Sequence, residues 1–273
     1  LDPAWGYSGL VINRKGTELP VSYTVKIIPC LSDNYAYILH SEQTSETALV
    51  DAPEAGPILD GLRQEGWTLD TILITHHHDD HIQGIGKLRN EFDVKVIGHG
   101  KDRQRLPALD QEVEDGSAFT LCGEPVTVMD VSGHTIGDIA YVLPGAAFTA
   151  DSLMALGCGR VFEGTFPMMW ESLGKLAALP DGTRIYSGHE YTLTNGEFAL
   201  TIEPENADLV ARVAEIRDRR SRHLPTVPST LALEKATNPF LRAGRPEIKS
   251  LLGMPDASDA ESFGEIRSRK DRF

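Results

Sequence analysis

The chain is poor in cysteine. Cys30, Cys122 and Cys158 are odd in number, far apart, and never form a Cys-x-x-Cys pair. Neither a disulfide framework nor a thiolate zinc site is signalled, and a reducing compartment, the cytoplasm, is the expectation. Long apolar runs are also missing, so no stretch is expected to span a bilayer. The first residues lack the basic start and apolar core of a secretory signal. Basic charge is in deficit: 26 Lys and Arg against 40 Asp and Glu give a net charge of −14, which argues against broad binding to nucleic acid or anionic membrane. A local basic pocket stays compatible with that total. Repeats of solenoid length and low-complexity tracts are absent as well.

What remains is an ordinary globular composition, 41% hydrophobic and 24% charged, long enough for one large domain or for one medium domain and a small one. Residues 1–20 show no clear period and read as an extension of unknown role. From Val21 the pattern is regular. "YTVKIIP", "NYAYILHS" and "TALVDAP" read as strands, and "GPILDGLRQEG" as a helix with Ile58, Leu59 and Leu62 on one stripe, stopped at Gly66. "LDTILIT" is a buried strand, "DHIQGIGKLRNEF" a single helix and "VKVIGHG" a further strand. "EPVTVMDVSGH" and "DIAYVLPGAAFTAD" add strands, the latter a hairpin turning near Pro144 and Gly145. "MMWESLGKLAAL" is helical and "TRIYSGHEY" a strand with a loop, so strands and helices mix to about residue 190, an α/β pattern. Beyond Tyr191 the chain turns helical. Leu209, Val210, Val213 and Ile216 form one face of a helix with arginines opposite, Ser229 is placed to cap a short helix, and the last stretch closes as a helix with a basic end. The expected division is 21–190 and 191–273.

The sequence concentrates its chemistry at 76–81, where four histidines and two aspartates follow the apolar strand directly. In His-x-His-x-Asp-His, alternate side chains on an extended segment converge on one ion, as His76 and His78 would. Asp80 and His81, at a helix start, point differently and suit a second ion. Imidazole and carboxylate donors fit zinc, iron or manganese. His134, Asp151 and His189 each lie just past a short apolar run. Residues leaving the same edge of a sheet meet in space, so five histidines and two aspartates are expected to hold two divalent metal ions. His77 is out of phase with its neighbours and reads as backbone support. His40, His99 and His223 read as surface residues.

These motifs resemble a known family. "THHHDDH", "SGHT", "FTADS" and "SGHEYT", in that order, resemble the metallo-β-lactamase superfamily; "GCGRVFEGT", "VPSTLALE", "NPFLR" and "IRSRKDRF" narrow the likeness to glyoxalase II. The resemblance implies an αββα sandwich followed by a small C-terminal helical domain that binds substrate. It implies one metal on His76, His78 and His134, a second on Asp80, His81 and His189, and Asp151 bridging both. Asp80 and Asp151 then act catalytically with a metal-bound hydroxide. It places Arg160, Phe162, Tyr191, Arg267 and Lys270 at the glutathione moiety. Arg160 stands where the family usually has lysine and Phe162 where it has tyrosine; Asp79 and Asp138 also depart from the common pattern. The implied reaction is hydrolysis of S-D-lactoylglutathione to D-lactate and glutathione, as in methylglyoxal detoxification. A thiolate is a tolerable leaving group near neutral pH, so no dedicated general acid is required. Taken alone, "RSRKDR" reads as a solvated helix end that complements the helix dipole. The alternative on this scaffold is a glutathione-persulfide dioxygenase with a single iron. A non-catalytic binding relative is disfavoured by the full set of ligand types. Cys158 and Ser187 read as packing residues, and a monomer is the default expectation.

Overall fold

The computed structural model describes residues 6–12 and 18–273, with side chains from Val21 onward. The chain forms two compact units: one runs up to Asp130 and includes 137–148, the other holds 131–136 and 149–273.

The first unit is built on a seven-stranded mixed sheet, in order β1 (Gly6–Ile12), β2 (Glu18–Cys30), β3 (Asn34–His40), β4 (Thr47–Val50), β5 (Thr71–Leu73), β6 (Lys95–His99), β7 (Gln111–Val113). The pairs from β1 to β4 are antiparallel, with Ile27 opposite Tyr37; those from β4 to β7 are parallel, with Leu49 beside Ile72 and Ile72 beside Val96. The extension read from the sequence therefore contains a strand. Residues 1–5 and 13–17 lie outside the described residues.

Helix α1 (Ala55–Glu65) buries Ile58, Leu59 and Leu62 as its stripe predicts, and ends at Gly66 in the left-handed conformation that favours glycine. Full burial of each large aliphatic side chain contributes about 1.5–3 kcal/mol. The single helix expected from "DHIQGIGKLRNEF" is instead two, α2 (Asp79–Ile82) and α3 (Ile85–Glu91). Gly84 breaks it: its N–H donates to the Ala52 carbonyl at 2.8 Å, and a Cβ there would lie 2.8 Å from that same oxygen.

A second sheet has the order β15 (Ser229–Thr230), β14 (Arg184–Ser187), β11 (Ala146–Ala150), β10 (Ile139–Leu143), β9 (Glu124–Asp130), β8 (Ala118–Leu121). Within the first unit the sheets touch through side chains. The Tyr141 hydroxyl donates to the Ile74 carbonyl at 2.9 Å, and the rings of Tyr37 and Phe148 are 5.6 Å apart. His40 and His99, expected at the surface, are buried: His40 stacks on Trp67 and bonds Thr47, and His99 Nδ1 lies 3.0 Å from the Gly137 carbonyl. One ring nitrogen of each finds a partner inside, which offsets part of the cost of burial, while His99 Nε2 is buried with no hydrogen-bond partner among the described residues. His223 is exposed, as expected.

The second unit adds the small hairpin β12 (Leu153–Met154) and β13 (Gly157–Cys158), then α4 (Phe166–Ala177), α5 (Thr192–Ile202), α6 (Ala207–Ser221), α7 (Leu231–Thr237), α8 (Pro239–Arg242), α9 (Pro246–Leu252) and α10 (Asp259–Arg272). In α6, Leu209, Val213 and Ile216 are buried, but Val210 is exposed and Arg212 is buried. Spacings of three and four define the inner face, and Arg212 falls on it with its charge met by Glu234 and its guanidinium bonded to Thr237. Thr230, not Ser229, caps α7, its Oγ1 accepting from Leu233 N; Ser229 belongs to β15. Ser258 and Glu261 form a reciprocal capping box on α10. Among the described residues no helix is long and apolar enough to cross a membrane.

Candidate metal centre

In the first unit, strand β5 runs into the loop 74–78 and then α2, so the backbone delivers His76 and His78 from an extended segment and Asp80 and His81 from a helical turn. The carboxylate of Asp51, which follows β4 directly, organises this loop. Its Oδ1 accepts from Thr75 N at 2.9 Å, its Oδ2 accepts from the Thr75 hydroxyl at 2.8 Å, and Oδ2 also meets His81 Nδ1 at 2.8 Å. A carboxylate only accepts, so His81 carries its proton on Nδ1 and leaves Nε2 unprotonated. The Thr75 hydroxyl proton is committed to Asp51, so Thr75 Oγ1 accepts from His76 Nδ1 at 3.1 Å. His76 Nε2 is then also an unprotonated nitrogen, 3.1 Å from His78 Nδ1. One buried carboxylate thereby fixes two tautomers. Asp51 has a backbone φ of 57°, a left-handed conformation rare for a non-glycine residue. Asn34, at the start of β3, donates to both the backbone carbonyl and Oδ2 of Asp80, each at 3.0 Å. Neither Asp51 nor Asn34 is a site residue in the sequence reading.

In the second unit the same logic recurs. His134 Nδ1 donates to the Arg160 carbonyl at 2.7 Å, so its Nε2 is unprotonated. That Nε2 lies 3.5 Å from Asp151 Oδ2, and His189 Nε2 lies 3.3 Å from the same oxygen. Two donors bound to one ion at about 2.1 Å in tetrahedral geometry stand about 3.4 Å apart, so these separations suit shared coordination. The turn that carries Asp151 is tight. Ala150 has a φ of 41°, and a Cβ on Gly159 would lie 1.9 Å from the Asp151 carbonyl oxygen, so only glycine fits there.

Each unit gathers donors of its own: in the first, His76 Nε2 lies 3.1 Å from His78 Nδ1 and His81 Nε2 lies 3.8 Å from Asp80 Oδ2, and in the second His134 and His189 meet on Asp151; these are residues that could hold a metal ion. The donors are nitrogens and carboxylate oxygens with at least three tautomers set by neighbours, a set that fits a divalent metal. His77 joins none of these groups.

The residues expected at the glutathione moiety differ in accessibility. Arg160 is exposed, with its guanidinium over the Phe162 ring at 5.6 Å, and Phe162 is itself 60% exposed. Tyr191 stacks on the His189 ring at 4.6 Å with 8° between planes. Arg267, by contrast, is buried: one Nη donates to the Cys158 carbonyl at 2.8 Å, the other pairs with Asp271 at 3.1 Å, and the guanidinium sits over Phe240. Asp271 Oδ1 also lies 3.6 Å from Arg160 Nε. Lys270 donates to the Thr194 carbonyl between the rings of Phe198 and Phe273. Burial there, aided by the Arg267 charge, lowers its ammonium to about 8. All three cysteines are buried. Burial first, and for Cys30 and Cys122 a nearby glutamate as well, pushes their thiols up to about 12, 12 and 11 for Cys30, Cys122 and Cys158.

Comparison with known proteins gives two family matches along the chain. Residues 33–189 match the family model described as the metallo-beta-lactamase superfamily, and residues 190–273 match that of the hydroxyacylglutathione hydrolase C-terminus. The chain is 58% identical, over 90% of its length and 97% of the relative's, to a hydroxyacylglutathione hydrolase of Ruegeria pomeroyi. It is 51% identical to one of Rhizobium meliloti, over 89% and 96%. Among solved structures it is similar to the BLEG-1 B3 metallo-beta-lactamase (22% identity, TM-score 0.62, covering 80% of this chain and 99% of that one). It is also similar to ETHE1 from Myxococcus xanthus (23%, TM-score 0.62, covering 90% and 97%). The chain therefore belongs to the hydroxyacylglutathione hydrolase family of thioester hydrolases, a mixed-sheet metallo-β-lactamase fold followed by that family's C-terminal helical domain.

Proposed function

We propose that this enzyme hydrolyses S-D-lactoylglutathione to D-lactate and glutathione with two divalent ions. In this reading His76, His78 and His134 hold one ion, Asp80, His81 and His189 hold the other, and Asp151 bridges them. The observation that carries it is the convergence of His134 Nε2 and His189 Nε2 on Asp151 Oδ2. Bound divalent ions in such a site supply a water that ionises near neutral pH and positive charge for a carbonyl oxygen.

The chain's own residues account for the rest. Asp51 and the Arg160 carbonyl keep the imidazoles in their ligand tautomers. Arg160 and Lys270 supply positive charge for a substrate with two carboxylates, and Tyr191, stacked on His189, stands where the resemblance places a contact to the peptide part. Phe162 offers an apolar face where a tyrosine hydroxyl would add a hydrogen bond. Arg267 is buried against Cys158 and Asp271, so it acts by shaping this wall as much as by contact. Cys158 is no nucleophile, because its thiol is buried and pushed up to about 11. The departing thiolate needs no protonation, which favours a thioester over an amide substrate. The division into a catalytic segment 21–190 and a substrate-binding segment 191–273, and a cytoplasmic location, belong to the same proposal.

The test is hydrolysis of S-D-lactoylglutathione by protein whose metal content is measured in parallel. Intact thioester in the presence of filled sites would end the reading. Oxygen uptake with glutathione persulfide, at one iron per chain, would replace it with the dioxygenase.

A further inference from the structure

We propose that Asp102, clamped by Arg105, is a positioning residue that sets the metal-binding loop through His77. It rests on the metal assignment above, and all its contacts lie within the first unit.

Alternation along 76–78 sends His76 and His78 to one side and forces His77 to the other. There His77 Nδ1 faces Asp102 Oδ2 at 3.3 Å, and Arg105 Nη1 lies 3.3 Å from His77 Nε2. An arginine only donates, so His77 Nε2 is the acceptor and the proton is on Nδ1, whose approach to Asp102 Oδ2 is a close electrostatic contact outside hydrogen-bond geometry. Arg105 closes the triangle by donating to Asp102 Oδ1 through Nε at 3.2 Å and Nη2 at 2.5 Å. Arg105 therefore bonds both His77 and Asp102 and holds the carboxylate against the imidazole.

The frame beneath is equally defined. Asp102 sits on a single helical turn directly after β6, and its carbonyl accepts from Arg105 N at 2.7 Å and Leu106 N at 3.1 Å. It is buried, a position that a carboxylate tolerates only with partners in place. Gly137 makes the room: a Cβ there would lie 2.1 Å from both Cγ and Oδ2 of Asp102. His99, the last residue of β6, holds the Gly137 carbonyl at 3.0 Å. A solvated loop histidine would need none of this. The arrangement fixes the rotation of the loop at His77, and with it the angle at which His76 and His78 leave the backbone.

The experiment replaces Asp102→Asn and, separately, Gly137→Ala, which leaves every polar group in place but displaces the carboxylate. Cobalt(II) is titrated into each full-length protein against a chromophoric chelator, and its visible spectrum is recorded. Both variants are expected to hold cobalt about tenfold more weakly with an altered spectrum, and to lose about tenfold in kcat while KM stays within twofold. Wild-type affinity and spectrum with only a lowered Tm would reduce Asp102 to a packing role and overturn the proposal. Should Asp102→Asn fail to fold, His77→Phe, which fills the space without the polar contacts, is read by the same criteria. Cobalt binding is measured without substrate, so wild-type protein that binds cobalt yet leaves S-D-lactoylglutathione intact would sink the proposed reaction and not this inference.

Discussion

Replacing Asp51 by asparagine changes one oxygen to an amide and nothing in shape, yet it should disable the metal site. Asp51 now receives three hydrogen bonds, from Thr75 N, the Thr75 hydroxyl and His81 Nδ1. With the amide oxygen kept on Thr75 N, the NH2 group faces His81 Nδ1 and the Thr75 hydroxyl. His81 must then become the acceptor at Nδ1, which moves its proton to Nε2, the nitrogen that a metal requires bare. With the amide reversed, its NH2 opposes the Thr75 N–H, two donors in a buried space. Either arrangement costs about 1–3 kcal/mol. At about 1.4 kcal/mol per tenfold, that is a loss of roughly 5- to 150-fold in metal affinity, overlapping the 10- to 100-fold typical of such partners. Competition with a chelator, followed by kcat at saturating metal, measures it. Asp51→Asn protein with unchanged metal affinity would falsify the tautomer argument, because it would show His81 to be indifferent to its neighbour.

Other consequences follow from the same contacts. Chelation should abolish thioesterase activity, and zinc, iron or manganese added back one at a time will show which ions restore it. Lys270→Ala should raise KM with a smaller change in kcat; Arg267→Ala should do likewise and also lower Tm, since it empties a buried position. Because the Lys270 ammonium is lowered to about 8, KM should climb as pH rises through about 8, and Lys270→Arg should flatten that limb. An unfolded lysine keeps its proton to about 10.5, so the unfolded state binds more protons between 8 and 10.5 and this residue makes stability rise with pH there. Asp271 draws on both Arg160 and Arg267, so Asp271→Asn should lower KM for an anionic thioester by roughly fivefold at low salt, with the gain fading as salt is added. Glu234 accepts from Leu156 N, Asn238 and buried Arg212; Glu234→Ala should cost about 3–5 kcal/mol, read by denaturant unfolding.

Local pattern carries much of the fold. The α1 stripe and its glycine stop, the run of β5 into the histidine block, and the hairpin at Pro144–Gly145 are all written in adjacent residues. Features decided by tertiary contact are not. Gly84 looks like one more helical residue until Ala52 is found beneath it, and β1 is recognised from its backbone pairing to β2. The histidine block is legible because its spacing is itself the chemistry. Asp51 and Asn34 are illegible because a lone aspartate after a strand and a lone asparagine before one carry no period; their meaning comes from 24 and 46 residues away. His99 and His40 mislead for the same reason, since an interior partner cannot be read from the flanking sequence. Arg212 shows the limit of a helical wheel: a charged residue on the inner face is unremarkable only once Glu234 is opposite it.

The burial of Cys30, Cys122 and Cys158 has a bearing on endurance. With thiols at about 11 to 12, on the order of one in ten thousand or fewer is ionised at pH 7, and only the ionised form attacks disulfides or peroxides. An enzyme that frees glutathione with every turnover works amid that tripeptide and its oxidised dimer. Its three cysteines, buried and held in the thiol form, are poor nucleophiles toward that disulfide, so swings in the glutathione couple should leave its activity unchanged.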